Sequence, residues 1–91
     1  MKFEAAFSRR LGLRYPFVAA PMFFVSKKEM TVACAEAGIL GSMPSLNART
    51  TDQFSADLAW IRARTDKPFG IDLASGLTPN ELLEADFATC V

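Results

Sequence analysis

The feature that most constrains this chain is a repeated pair of signals, a short apolar run followed by a helix-start pattern. The apolar runs lie at residues 17–20, 39–43 and 69–73. Runs of this length, bounded by proline or glycine, are typical of strands that are buried on both faces of a sheet. Three successive strand–helix units predict an α/β fold with parallel strands and right-handed crossovers.

Each apolar run is followed by Ser or Thr with Glu or Gln three residues later, which is the spacing of a capping box. The three patterns begin at Ser26, Thr50 and Thr78. We predict that each of them caps a helix, with Val25 and Met30 forming a hydrophobic staple at the first. The regular spacing of the three patterns supports the strand–helix alternation.

The predicted order is a short leading helix over residues 3–11 and then three strand–helix units, in a single domain over residues 1–91. Three parallel strands leave two sheet edges open to pairing. They also amount to about a third of the ~250 residues that a complete eight-unit barrel takes. We therefore interpret the chain as the N-terminal part of a (β/α)8 barrel.

Composition excludes several classes of function. Lys and Arg number 10, and Asp and Glu also number 10, so the basic excess that nucleic-acid binding needs is missing. The longest strongly apolar stretch, residues 17–25, is far shorter than the ~20 residues of a membrane helix. Two cysteines cannot form several disulfides, and they indicate a reducing cytoplasm. The chain has no histidine, and we predict no metal site.

Ligands of parallel α/β folds bind at the carboxyl ends of the strands, on the loops that lead into the helices. The first such loop, residues 21–25, is apolar where a loop is normally polar. It either packs beneath the rim of the barrel or lies against a flat aromatic ligand, with backbone amides making the polar contacts. The residues alone leave both interpretations open.

The other two loops carry polar side chains. Asp72 interrupts an apolar strand end, and its carboxylate either contacts a ligand or caps backbone amides at the sheet edge, since burying it bare is costly. The second loop carries Ser45, Asn47 and Arg49, which either contact a polar group of a ligand or form a solvated turn, and we favour the solvated turn. Cys34 lies in a predicted helix without a base partner, which argues against a nucleophilic role.

Several motifs in a fixed order give the chain a resemblance to a known family. Residues 11–16 read Leu-Gly-Leu-Arg-Tyr-Pro, residues 19–22 read Ala-Ala-Pro-Met, and residues 35–42 read Ala-Glu-Ala-Gly-Ile-Leu-Gly-Ser. This order resembles the opening of the nitronate monooxygenases, formerly called 2-nitropropane dioxygenases. The stretch Pro-Ser-Leu-Asn-Ala-Arg-Thr at residues 44–50 is similar to one branch of that family.

The resemblance implies an FMN-dependent TIM barrel that oxidises alkyl nitronates with molecular oxygen. It assigns Ala20, Pro21 and Met22 to a wall against the flavin, with contacts made largely through the backbone. In the family the third strand ends Gly-x-Asn-Leu, and that Asn hydrogen-bonds the flavin. Here residues 70–73 read Gly-Ile-Asp-Leu, so Asp72 takes this position, where an ionised carboxylate only accepts hydrogen bonds.

The resemblance also implies that the family's catalytic histidine and its glycine-rich phosphate loops lie beyond residue 91. We therefore assign no catalytic residue to this chain and expect that these 91 residues alone do not turn over a nitronate. One alternative is a flavin-dependent enoyl-carrier-protein reductase of the same barrel type, although the motif at residues 44–50 favours the monooxygenase. Another is a non-catalytic truncated chain that self-associates through its open sheet edges.

Overall fold

A computed structural model describes residues 5–74 and 80–90, and from residue 28 onward α-helices and strands alternate within these ranges. The elements are α1 (Ala6–Leu11), α2 (Lys28–Ala37), β1 (Gly41–Pro44), α3 (Thr51–Arg62), β2 (Phe69–Asp72) and α4 (Asn80–Cys90), with a 3-10 helix at Ser45–Asn47. The predicted strand–helix order is confirmed from α2 onward, whereas between α1 and α2 the described residues form only one isolated bridge and no strand. None of the helices in these ranges is long and apolar enough to cross a membrane.

The sheet is a parallel pair of strands. Gly41 lies opposite Phe69 and Pro44 lies opposite Asp72, and α3 is the crossover that connects the two strands. All residues of β1 are buried, whereas β2 is half-buried and ends on an exposed residue. The prediction of buried strands is therefore right for β1 and wrong for β2, whose residues stay partly accessible in the described part of the chain.

The first apolar run does not form the strand predicted over residues 17–20. Val18 makes one isolated parallel bridge to Leu40, in which the Ala19 N–H donates to the Leu40 carbonyl at 2.8 Å. Phe17 and Val18 are 59% and 51% exposed, so side-chain burial does not support a longer ladder. Consecutive strand residues direct their backbone groups to alternate edges, which places this bridge on the edge of β1 away from β2.

The hydrophobic core lies between the sheet and α3. Its buried members are Met43, Ala48, Phe54, Leu58 and Ile61. The three members from α3 recur at i, i+4 and i+7, which is the stripe predicted from helical periodicity. The core thus anchors β1 and α3, the two elements on either side of the second predicted ligand loop.

One predicted helix cap is confirmed. The Thr50 hydroxyl accepts a hydrogen bond from the Gln53 N–H at 3.2 Å, at the start of α3. The Gln53 side chain in turn accepts from the Arg49 N–H at 2.9 Å. Thr50 and Gln53 therefore satisfy donors on both sides of the helix start, close to the reciprocal pattern of a capping box.

The cap and the staple predicted at the first pattern are wrong. α2 begins at Lys28 with Lys27 in the cap position and without a side-chain capping bond, because the Ser26 hydroxyl is used by the preceding loop. Val25 and Met30 are both exposed and make no staple. The third pattern begins at Thr78, outside the described residues.

Replacing Thr50 by alanine is expected to lower the free energy of unfolding by about 1 kcal/mol, because the Gln53 N–H loses its capping acceptor. Urea unfolding followed by circular dichroism measures this change. Ser55→Ala is the matched control, since Ser55 is an exposed residue in the middle of α3, and its effect should stay within about 0.5 kcal/mol. Equal losses from the two substitutions would contradict the capping role.

Candidate functional site

Three loops meet at the carboxyl edge of the sheet. The segment Ala20 to Val25 follows the bridge, the 3-10 helix Ser45–Asn47 follows β1, and Asp72 ends β2 opposite Pro44. The carboxyl ends of parallel strands share one edge, which is where α/β folds bind ligands. The bridge segment and β2 are two strand spacings, or about 10 Å, apart. The edge therefore brings the predicted residues of both segments to one side of the molecule.

Buried Ser26 fixes the first of these loops from within. Its hydroxyl accepts from the Met22 N–H at 3.0 Å and donates to the Ala20 carbonyl at 3.1 Å. The Met22 carbonyl accepts from the N–H groups of Val25 and Ser26, at 3.0 and 2.8 Å. The loop is thus a closed turn around one hydroxyl, and the Met22 N–H is already occupied.

Asn47 holds the same loop from the neighbouring one. Its Oδ1 accepts from the Phe24 N–H at 2.9 Å, and its Nδ2 donates to the Ser26 carbonyl at 2.6 Å. The interpretation of this segment as a solvated turn is wrong for Asn47, which is half-buried and bridges two loops. A primary amide can do this because it carries both a donor and an acceptor.

Phe24 has a backbone conformation that is unusual for its residue type. Its φ is +62°, in the left-handed region that costs a bulky residue roughly 1–3 kcal/mol. The rings of Phe23 and Phe24 lie with centroids 4.0 Å apart and planes tilted by 45°. Their arrangement therefore depends on a strained backbone that Asn47 holds in place.

A second serine supports the base of the loop. The Ser42 hydroxyl donates to the Ala19 carbonyl, so two successive carbonyls of the bridge segment are bound by serines from different elements. Sequence reasoning missed Ser26, Ser42 and Asn47 as supports of the site. A usable signal was present for Ser42, because a hydroxyl within a buried apolar strand requires a hydrogen-bond partner.

The loop presents an apolar surface to its surroundings. Exposure rises along it, from 42% at Met22 through 53% and 57% at the two phenylalanines to 62% at Val25. The Phe23 N–H donates to no acceptor within residues 5–74 and 80–90. The loop thus offers an exposed apolar surface with a free backbone donor, the combination that the sequence interpretation required of a ligand contact.

Asp72 is exposed at the carboxyl end of β2. It has no ion-pair partner in the described part of the chain, nor does it accept a hydrogen bond there. The alternative in which it caps backbone amides is therefore not realised among these residues. Its carboxylate is an available acceptor at the same edge as the apolar loop.

Two cavities lie near the sheet. A cavity of about 310 Å³ at the carboxyl edge is lined by Phe24 and Asn47 together with charged side chains of both signs, Lys27, Lys28, Glu29 and Asp57. A larger one of about 490 Å³ lies between one face of β2 and the helices α3 and α4. The smaller cavity is the better candidate, because it adjoins the loops where ligands of such folds bind.

The larger cavity is lined in part by Cys90. Burial raises the pKa of the Cys90 thiol, the nearby carboxylate of Asp86 raises it further, and Arg62 partly opposes both. The thiol is consequently held neutral at physiological pH, and a neutral thiol is a poor nucleophile. The cavity thus contributes no activated nucleophile.

Comparison with known proteins identifies the family. The family model for nitronate monooxygenase matches residues 5–86. The chain belongs to the nitronate monooxygenase family. It is 36% identical over 67 residues to the nitronate monooxygenase of Pseudomonas aeruginosa, a match that covers 74% of this chain and 19% of that protein. The family assignment made from the ordered motifs is therefore confirmed, and the family is one of oxidoreductases.

A second curated relative has a different printed activity. It is the (3aS,4S,5R,7aS)-5-hydroxy-7a-methyl-1-oxo-octahydro-1H-indene-4-carboxyl-CoA dehydrogenase of Mycobacterium tuberculosis, 32% identical over 73 residues, which cover 80% of this chain and 20% of that protein. The chain spans about one fifth of the length of these curated relatives.

A solved structure shows the fold. FabK from Thermotoga maritima superposes with a TM-score of 0.84 at 23% identity, over 99% of this chain and 28% of that one. At this identity the likeness bears on fold alone. It confirms the predicted α/β architecture as part of a TIM barrel.

Proposed function

We propose that the natural protein carrying these residues is an FMN-dependent nitronate monooxygenase that oxidises alkyl nitronates with molecular oxygen, and that this chain supplies one wall of its flavin pocket. The observation that carries the proposal is the exposed apolar loop from Ala20 to Val25 at the carboxyl edge, fixed by Ser26 and Asn47. Family membership supports the reaction class.

The residues at this edge fit a flavin. Pro21 and Met22 are exposed and give a flat ring an apolar surface. The Met22 N–H is bound to Ser26, whereas the N–H groups of Ala20 and Phe23 have no acceptor within residues 5–74 and 80–90. Asp72 supplies an acceptor at the same edge, which suits the imide N–H of an isoalloxazine ring. The wall thus offers apolar contact, backbone donors and a carboxylate acceptor.

When bound, FMN would supply the two-electron oxidation of the nitronate and the reaction with oxygen. The chain's own part is to hold and orient that group and to keep water from one of its faces. We assign no catalytic base here, because the chain has no histidine and the family resemblance places the catalytic histidine outside these residues.

The test uses the natural protein that carries these residues. Purified protein is titrated with FMN by quenching of flavin fluorescence, and oxygen consumption is then recorded with propyl-2-nitronate. We expect saturable FMN binding and oxygen uptake well above a free-FMN blank. Failure to bind FMN would contradict the proposal, and reduction of the bound flavin by a nicotinamide cofactor with an enoyl thioester as acceptor would favour the reductase alternative instead.

A further inference from the structure

We infer that Asn47 is a positioning residue for the flavin-facing loop, an inference that rests on the proposed function. Its side-chain amide holds Phe24 in the left-handed conformation and so sets the surface that Met22 and Phe23 present to the cofactor. Asn47 acts through the loop and needs no contact with the cofactor itself. The motifs that carry the family resemblance give no role to its side chain.

The hydrogen bonds of Asn47 reach the whole loop. Oδ1 takes the Phe24 N–H, and Nδ2 binds the Ser26 carbonyl. Ser26 in turn binds the Met22 N–H and the Ala20 carbonyl through its hydroxyl. A displacement of Asn47 therefore changes the position of both ends of the predicted flavin wall.

The backbone of Phe24 shows why this support is needed. Among residues 5–74 and 80–90 it is the only non-glycine with a positive φ, and its side chain is exposed, so burial does not compensate the strain. Without Asn47 the residue is free to return to an extended conformation. The Phe23–Phe24 ring pair and the free Phe23 N–H would then turn away from their present positions.

The strained conformation of Phe24 is not needed for the hydrophobic core to form. The core is formed by residues of β1 and α3 and by Ala48 between them, and the side chains from Met22 to Val25 lie outside it and are exposed. Strained backbone in an exposed loop persists where the surrounding structure fixes a ligand surface in advance. Preorganisation of that surface raises ligand affinity, because the binding-competent conformation is already populated.

The test measures FMN affinity in the natural protein. For Asn47→Ala we expect the apparent Kd for FMN to rise about tenfold, because only about a tenth of the molecules would then hold the competent loop. The absorbance spectrum of bound FMN should shift as well. Gln53→Ala is the matched control, since that exposed side-chain amide also accepts a backbone N–H but forms no hydrogen bond with the flavin-facing loop, and the Kd of this variant should be unchanged.

A rescue experiment separates positioning from a general structural role. Glycine adopts the left-handed conformation without a side-chain penalty. The double variant Asn47→Ala/Phe24→Gly should therefore bind FMN within about twofold of Phe24→Gly alone. Both variants in this comparison lack the Phe24 ring, so any contact of that ring with FMN does not affect the difference between their Kd values.

The outcomes are distinct. An unchanged Kd and flavin spectrum in Asn47→Ala, or the same tenfold loss in both backgrounds, would overturn the inference and leave the proposed function intact. Absence of FMN binding by the unsubstituted protein would overturn the proposed function and this inference with it. If Asn47→Ala does not fold, Asn47→Asp replaces it, because it keeps the Oδ1 acceptor and loses the Nδ2 donor. We expect a loss of about threefold for Asn47→Asp, and no loss would count against the inference.

Discussion

Replacing Phe54 by alanine is expected to lower the free energy of unfolding by about 4 kcal/mol. Phe54 is the largest of the fully buried side chains, with 1% of its surface exposed, and it lies in the core with Met43 and Leu58. Truncation removes the transfer free energy of the ring and leaves a cavity that a close-packed core fills only in part. Because small domains are stable by only ~5–15 kcal/mol, a large share of the stability would be lost.

Urea unfolding of Phe54→Ala beside Phe54→Leu measures the effect. Leucine fills much of the same space, and we expect it to cost less than about 1.5 kcal/mol. A loss of under 1 kcal/mol in the alanine variant would show that the side chain is not packed as described. The comparison at one position separates the lost volume from any local effect on α3.

The regular part of the fold follows from short-range patterns. The stripe of Phe54, Leu58 and Ile61 and the cap at Thr50 depend on spacings within one helix, so they could be predicted from the sequence. The pattern at Ser26 has the same spacing of polar residues and forms no cap. Its hydroxyl binds Met22 and Ala20 instead, a choice made by the packing of the loop.

The strand predicted at residues 17–20 shows a second case in which a local sequence pattern was not sufficient. An apolar run indicates a tendency toward a buried strand, but the ladder forms only where neighbouring chain covers it. Val18 and Phe17 are exposed in this structure, and one bridge to Leu40 remains. The pattern thus located the segment beside β1 correctly and overestimated its pairing.

The candidate site was likewise predictable in part from the sequence. Topology alone places the loop at Ala20 to Met22 and the end of β2 at Asp72 on one edge, since parallel strands end together. Which side chains hold the loop could not be predicted, because Asn47 and Phe24 are 23 positions apart. A hydrogen bond over that separation depends on how two loops meet, and no local spacing encodes it.

Replacing Gly41 by alanine is expected to cost about 3 kcal/mol, because β1 and α2 approach each other too closely for a side chain. A Cβ at this position would lie 2.5 Å from the backbone oxygen of Thr31 and 3.0 Å from the Cβ of Cys34. The Thr31 oxygen belongs to helical backbone, which cannot move alone. α2 as a whole would have to shift away from the sheet.

Gly70→Ala in the neighbouring strand is the matched control. Its Cβ would lie 3.3 Å from the Cβ of Ser42, which asks for a displacement of a few tenths of an ångström, and we expect a cost below about 1 kcal/mol. Thermal and urea unfolding of both variants measure the difference. Equal losses of unfolding free energy in the two variants would mean that α2 and β1 pack less closely than described.

The Gly41 substitution also connects the packing of the fold to the proposed flavin wall. α2 begins two residues after Ser26, so a shift of the helix pulls the Ser26 hydroxyl away from Met22 and Ala20. We therefore expect Gly41→Ala to weaken FMN binding as well as stability, whereas Gly70→Ala should leave the affinity within about twofold. Loss of stability with full FMN affinity would show that the loop is positioned by Asn47 without help from the helix.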